Sequence, residues 1–258
     1  MNRFALIIEA SDVKGQAVLP GAKRDAEQWR NFLMSNIGGA WNENEIIVLN
    51  KPSSDLVTDF LTRHISDYCF VAYSGHGCEI KRYSWQTEGI PTVCLNDTET
   101  TLPLSRLKPH GSCGTLIADS CRGHELMTKT AANFSKRSDS RGLVVEDATK
   151  SAYLACLHYQ GWKQALQQCC NTQNGILTMY SCASGQAAGE DPNAGGIYTS
   201  FLIQSARIWY DAAKSNKYYT TWNAHDDADK LMKIYAPQQT PEYQSLPVKF
   251  PFAIKYSI

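Results

Sequence analysis

The chain has 258 residues, 43% hydrophobic and 19% charged, with 25 basic side chains offsetting 25 acidic ones. That balance excludes intrinsic disorder and a polyanion-seeking basic surface, so nucleic acid is not expected as a partner. The longest apolar runs, residues 4–8 and 68–73, fall far short of the roughly 20 residues of a membrane-crossing helix. The N-terminus enters a strand with no signal-peptide layout, so neither a membrane nor export is expected and the expected location is cytoplasmic.

Strand-like and helix-like segments alternate from the start. Residues 3–9 (RFALIIE) form a compact apolar run suited to a strand covered on both faces, after which Ala22, Ala26, Trp29, Leu33 and Ile37 recur at helical spacing. Residues 45–49 repeat the strand pattern. Pro52, Ser53, Ser54 and Asp55 then supply helix-start chemistry ahead of Leu56, Phe60 and Leu61. Residues 68–73 (YCFVAY) and 115–118 (TLIA) read as a third and a fourth strand, separated by a hairpin excursion at 78–96 and a short helix near 104–107. Residues 129–150, rich in Ser, Lys, Arg and Asp, read as a long exposed linker. A helix over about 151–169, a strand at 176–181, a helix at 198–213 and a proline-bounded edge strand within 246–254 complete the chain. Strands alternating with helices imply parallel pairing with right-handed crossovers, an α/β doubly wound arrangement. At ~150 residues per domain, the length suits one large α/β domain as well as two small ones.

The nine cysteines are odd in number and form no CxxC pair, which points to reduced thiols and disfavours zinc. A buried small hydrophobe is the default reading of each. Any reactive thiol must be argued from its surroundings.

In doubly wound sheets the ligand site lies beyond the carboxyl ends of the strands. Two such ends stand out: Ser74-Gly75-His76-Gly77 after the third strand, and Asp119-Ser120-Cys121-Arg122-Gly123 after the fourth. A glycine-flanked histidine and a cysteine at a strand-to-loop turn, facing each other across adjacent strand tips, would make a nucleophile and base pair.

These two motifs resemble the paired motifs of the caspase-like cysteine peptidases, the clan of caspases, paracaspases and metacaspases. The likeness extends to residues 20–26 (PGAKRDA), similar to the loop entering the family's first helix. It also extends to 180–186 (YSCASGQ), similar to its small-subunit strand end, and to 246–254, similar to its terminal strand. It implies a caspase-like α/β/α sandwich of about six mostly parallel strands with helices on both faces. It further implies one peptidase domain over 1–258: a large-subunit-like part (1–128), an exposed basic linker (129–150) and a small-subunit-like part (151–258). In the implied chemistry the Cys121 thiolate attacks a peptide carbonyl and His76 protonates the leaving amine, with backbone N–H groups of Gly77 and Cys121 holding the oxyanion. No cofactor is needed.

Caspases cut after aspartate with two arginines and a glutamine in the primary pocket. On this chain those positions fall on Leu19, Glu190 and Asp119, so the cationic recognition is gone. Metacaspases cut after Arg or Lys through acidic groups, and their positions look like Asp25, Ser74 and Asp119. Carboxylates gathered in one hollow demand a cation, which an Arg or Lys side chain supplies. The resemblance therefore implies a bacterial metacaspase-type (orthocaspase) protease acting on protein or peptide with Arg or Lys before the scissile bond, in cell death or defence, with a regulatory protein partner as a further expectation. The competing readings are a catalytically silent binding scaffold and a protease of non-basic specificity. Asp25, early in a helix, and Glu190, in a turn-like segment, also have simple structural explanations.

Lys129, Lys136, Arg137, Arg141 and Lys150 make the linker a candidate for self-cleavage. Calcium activation is disfavoured: Asp97 and Glu99 suit such a site, whereas Thr128 replaces a residue usually acidic there. His124 is near enough to Cys121 in sequence to deserve a control substitution.

Overall fold

The computed structural model describes residues 1–81, 89–95, 101–123, 130–131, 148–214, 217–244 and 248–256, with 130–131 and 148–154 described as backbone. The first strand, β1 (Arg3–Ala10), is buried along its whole length, as a strand covered on both faces should be. α1 (Pro20–Met34) opens on a proline, whose missing N–H is one that a helix start leaves unbonded anyway. It buries Ala22, Ala26, Trp29 and Leu33 at the expected spacing. β2 (Ile46–Asn50) leads to α2 (Ser54–Arg63), which is capped by Ser53: its hydroxyl accepts the Leu56 N–H at 3.1 Å.

β3 (Tyr68–Gly75) is followed by the expected excursion: β4 (Gly77–Ile80), β5 (Ile90–Cys94) and β6 (Thr101–Pro103) form an antiparallel ribbon ahead of a helical turn at Leu104–Leu107. β7 (Cys113–Asp119) returns to the main sheet. Then come β8 (Thr130–Ala131), α3 (Ala148–Thr172), β9 (Gly175–Tyr180), β10 (Gly189–Asp191), β11 (Gly195–Gly196) and α4 (Ile197–Ala212). β12 (Lys217–Thr220), α5 (Thr221–Tyr235), β13 (Glu242–Gln244) and β14 (Pro251–Lys255) close the chain.

Among the described residues the main sheet has six strands in the order β13-β9-β7-β3-β1-β2. Every pairing is parallel except that of β13, which runs antiparallel to β9. Side chains of β1 alternate between two cores, Ala5 and Ile7 facing α1 and α4 while Phe4, Leu6 and Ile8 face Val57 and Leu61 of α2. Helices thus cover both faces, as an α/β/α sandwich requires.

Several segments depart from the reading of the sequence. Residues 148–150, expected in the linker, already belong to α3, and Thr130–Ala131 pairs in parallel with β10; the rest of the linker, and Asp97, Glu99, Thr128 and His124 with it, lie outside the described residues. The terminal strand begins at Pro251 and pairs with β12 as an edge strand of a two-stranded sheet apart from the main one. It does so because its apolar residues are core: Phe252 packs on Trp29 and Phe32, and Phe250 on Tyr68. The main sheet is edged by β2 and by β13, three exposed residues whose polar sequence gives no strand pattern.

Candidate active site

The sheet register brings the two motifs together. β3 and β7 are parallel neighbours with Ser74 opposite Asp119 as the last pair, so His76 and Cys121 each lie two residues beyond it on adjacent tips. The turns are in contact: a Cβ built on Gly77 would come within 2.8 Å of Ser120 Oγ and 2.9 Å of the Cys121 carbonyl. The absence of a side chain at Gly77 is what lets the two tips approach.

His76 is fully buried, and its Nε2 lies 2.7 Å from the Ala17 carbonyl oxygen. A carbonyl only accepts, so Nε2 carries the proton, and in the neutral ring Nδ1 holds the lone pair. The histidine backbone is also fixed, since its carbonyl accepts from the Tyr73 hydroxyl at 2.7 Å and from the Cys94 N–H at 3.0 Å.

Cys121 is buried in a small cluster with Cys182 and Ala188. The two thiols differ in their surroundings. Cys182 Sγ donates toward the Ser120 and Gln186 carbonyls at 3.3 and 3.4 Å, and burial, reinforced by Cys121, pushes its pKa up to about 12. The Cys121 sulfur receives the Ala188 N–H at 3.3 Å and lies 4.0 Å from the carbonyl oxygen of the same residue. All nine cysteines are free of disulfides.

Beside this pair lies a cluster of buried carboxylates. Ser74 and Asp119 point to the α1/α4 face by strand alternation, and there Asp25 of α1 accepts the Ser74 hydroxyl at 2.5 Å and the Gly196 N–H at 2.7 Å. Asp119 accepts the Thr199 hydroxyl at 2.9 Å and its N–H at 3.2 Å. A Cβ on Gly196 would stand 2.1 Å from Asp119 Oδ2 and 2.9 Å from Asp25 Oδ2, so both carboxylates close on one point. Glu190, whose sequence setting resembles a solvated turn, is a buried residue of β10. Its Oε2 would lie 2.6 Å from a Cβ on Gly21, one helical turn before Asp25 on the same stripe of α1. The turn between β10 and β11 is an Asx turn in which Asp191 accepts the Asn193 and Ala194 N–H groups at 2.7 and 3.0 Å. It ends on Gly195 at φ +92°, backbone that favours glycine.

Reading the sequence missed two contributors. The Ala17 carbonyl leaves no mark in the side-chain pattern. The second is Glu79, nearly fully buried, which pairs with Arg122 at 2.6 Å beside the cysteine. Among the described residues no group of three or more His, Cys, Asp or Glu is arranged to hold a metal ion, and no helix is long and apolar enough to cross a membrane.

Fold and site together define an α/β protein that presents a thiol and an imidazole at the carboxyl edge of a mostly parallel sheet. The family model described as "Caspase domain" matches residues 2–251, and the chain belongs to that family, whose members are cysteine peptidases. Caspase-1 from Spodoptera frugiperda is similar in structure, with a TM-score of 0.60 at 12% identity over 98% of this chain and 92% of that one. Protein GSU0716 from Geobacter sulfurreducens is similar at a TM-score of 0.54 and 16% identity, over 100% of both chains. No curated protein sequence matches.

Proposed function

We propose that this protein is a cysteine endopeptidase of metacaspase type that cleaves after Arg or Lys, with Cys121 as nucleophile and His76 as acid and base. The observation that carries the proposal is the register: the cysteine and the histidine sit two residues beyond the Ser74–Asp119 pair, and the carboxylates of Asp119 and Asp25 converge beside that pair. The Cys121 thiolate attacks the scissile carbonyl, and the oxyanion falls to backbone N–H groups of Gly77 and Cys121. Because Nε2 is committed to Ala17, His76 works through Nδ1. From the imidazolium it protonates the leaving amine, then takes a proton from the water that releases the acyl group. The substrate cation enters this acidic cluster, where guanidinium or ammonium meets two carboxylates, with Glu190 at the neighbouring helix turn. An aspartate there would meet like charge at a cost of several kcal/mol, roughly, at an effective dielectric of about 20.

The proposal includes a division into parts equivalent to a large and a small subunit, with the linker of residues 129–150 open to self-cleavage at its basic residues. It also places the protein in the cytoplasm, acting in cell death or defence. The test is cleavage of otherwise identical peptides carrying Arg, Lys, Asp or Leu before the scissile bond, with calcium or a chelator, by wild type and Cys121→Ala. Cleavage of the Arg and Lys peptides by wild type alone, unaffected by chelation, supports the reading. Equal turnover of the Leu peptide, or activity retained by Cys121→Ala, contradicts it. Self-processing fails if pure Cys121→Ala still fragments within the linker.

A further inference from the structure

We propose that Glu79 and Arg122 are positioning residues for the Cys121 thiol, acting through the segment of residues 182–189 that covers it; this rests on the assignment of Cys121 as nucleophile. Glu79 is 1% exposed, and a carboxylate so placed is costly unless its oxygens are hydrogen-bonded. Its Oε1 accepts Arg122 Nε at 2.8 Å and Nη2 at 2.6 Å, and its Oε2 accepts the Ser184 hydroxyl at 2.5 Å. Its own N–H reaches the Gly123 carbonyl at 2.8 Å. One side chain thus ties β4, which begins at Gly77, to the turn carrying Cys121 and to the covering segment.

Arg122 grips the same segment from the other side. Nη1 donates to the Cys182 carbonyl at 3.1 Å and to Glu242 of β13 at 2.5 Å, and the guanidinium lies 4.4 Å over the Tyr180 ring. In the backbone, the Arg122 N–H donates to Gln186 at 2.9 Å and the Arg122 carbonyl accepts from Gly185 at 2.8 Å. Residues 182–186 are therefore held at Cys182 and Ser184 by the side chains of this ion pair and at Gly185 and Gln186 by the Arg122 backbone, and the N–H that reaches the Cys121 sulfur, that of Ala188, comes two residues later. Loss of the Glu79 charge frees this segment. The N–H to sulfur contact lengthens, the thiolate loses a donor, and a fully buried thiol gains access to solvent.

The test compares Glu79→Gln, Ser184→Ala and Ser184→Thr with wild type, each first shown to be folded. Two quantities are read: kinetics on the peptide that wild type cleaves best, and the pH dependence of Cys121 alkylation by iodoacetamide. For Glu79→Gln, kcat falls on the order of 10- to 100-fold with KM nearly unchanged, because misplacement by about 1 Å has that effect on a reacting group. The alkylation midpoint rises by about one pH unit, the equivalent of one lost hydrogen bond to a charged group, while the plateau rate increases. Ser184→Ala shifts both readouts the same way by less, and Ser184→Thr, which keeps the hydroxyl, restores them. A folded Glu79→Gln with wild-type kcat and midpoint overturns the proposal, as does a kcat loss that follows thermal stability while the midpoint stays put. If Glu79→Gln does not fold, the two Ser184 variants decide between the same outcomes. Wild type that cleaves no peptide refutes the peptidase reading, and the alkylation profiles still decide the positioning role.

Discussion

Replacing Gly196 with alanine places one methyl group where the two carboxylates of the acidic cluster converge. The backbone there, at φ −61° and ψ 140°, accepts any residue, so the effect comes from sterics alone. The new Cβ would lie 2.1 Å from Asp119 Oδ2 and 2.9 Å from Asp25 Oδ2, so the Asp119 carboxylate must retreat by more than about 1 Å to reach ordinary contact. It cannot do so freely, because Thr199 holds Asp119 through its hydroxyl and N–H at 2.9 and 3.2 Å, and Ser74 holds Asp25 at 2.5 Å. Breaking one or two hydrogen bonds to a carboxylate costs about 3 to 5 kcal/mol, a fall in Tm of roughly 10 °C for a chain of this size. In the folded variant the cluster is crowded and its charges displaced, so kcat/KM for an Arg peptide falls about 100-fold or more. Differential scanning fluorimetry and initial-rate assays on purified protein measure both effects. Unchanged melting and unchanged Arg cleavage would falsify the assignment of this cluster as the specificity pocket.

Three further outcomes follow from the same geometry. Asp119→Asn should lower kcat/KM for Arg peptides on the order of 100-fold, the equivalent of one lost charge-assisted contact, with little effect on slow cleavage of a Leu peptide; equal losses on both peptides would point to damage at the nucleophile turn instead. Histidine ¹⁵N–¹H correlation spectra of the neutral enzyme should show His76 protonated at Nε2, the nitrogen facing Ala17, and an Nδ1–H tautomer would contradict the proposed proton path. His225 is a pH probe of the fold. Its Nδ1 lies 2.7 Å from the Tyr198 hydroxyl, and burial pulls its pKa down to about 4 despite Asp226 and Asp229, which act to raise it. The unfolded chain then takes up a proton near pH 6.5 that the native state refuses, so stability present above that pH is lost on acidification, about 3 kcal/mol by pH 4. A folded His225→Asn should show a flatter acid limb in its melting profile, and an acid limb identical to wild type refutes this assignment.

Much of the site could be read in the sequence because its chemistry sits where continuous apolar runs end. Residues 68–73 and 115–118 have the composition of strands buried on both faces, and His76 and Cys121 follow them at matching distances, so parallel pairing alone brings them together. Asp25 and Ser74 were reachable only through the resemblance, since nothing local distinguishes a pocket carboxylate on α1 from a solvated one. Glu79 was invisible for a different reason. Its partners Arg122 and Ser184 are distant in sequence, and a charged residue in a short hairpin reads as surface until the fold buries it. The Ala17 carbonyl could not be inferred, because a main-chain acceptor places no demand on the side chain that bears it. α5 did carry signals, a capping box at Thr220 and Asn223 and buried Ala224, Ala228 and Met232 at helical spacing. β13 carried none, since an exposed edge of three polar residues takes its place in the sheet from its neighbour β9.

The proposed activity requires a nucleophilic sulfur at Cys121 beside an acidic cluster that accepts a cation. Peptidyl chloromethyl ketones ending in arginine or in aspartate, incubated with the purified protein and followed by intact mass and peptide mapping, test both halves at once. The account predicts a single adduct from the arginine reagent, on Cys121, absent in Cys121→Ala and strongly slowed in Asp119→Asn. Preferential labelling by the aspartate reagent, or an arginine adduct on any other cysteine, would contradict it.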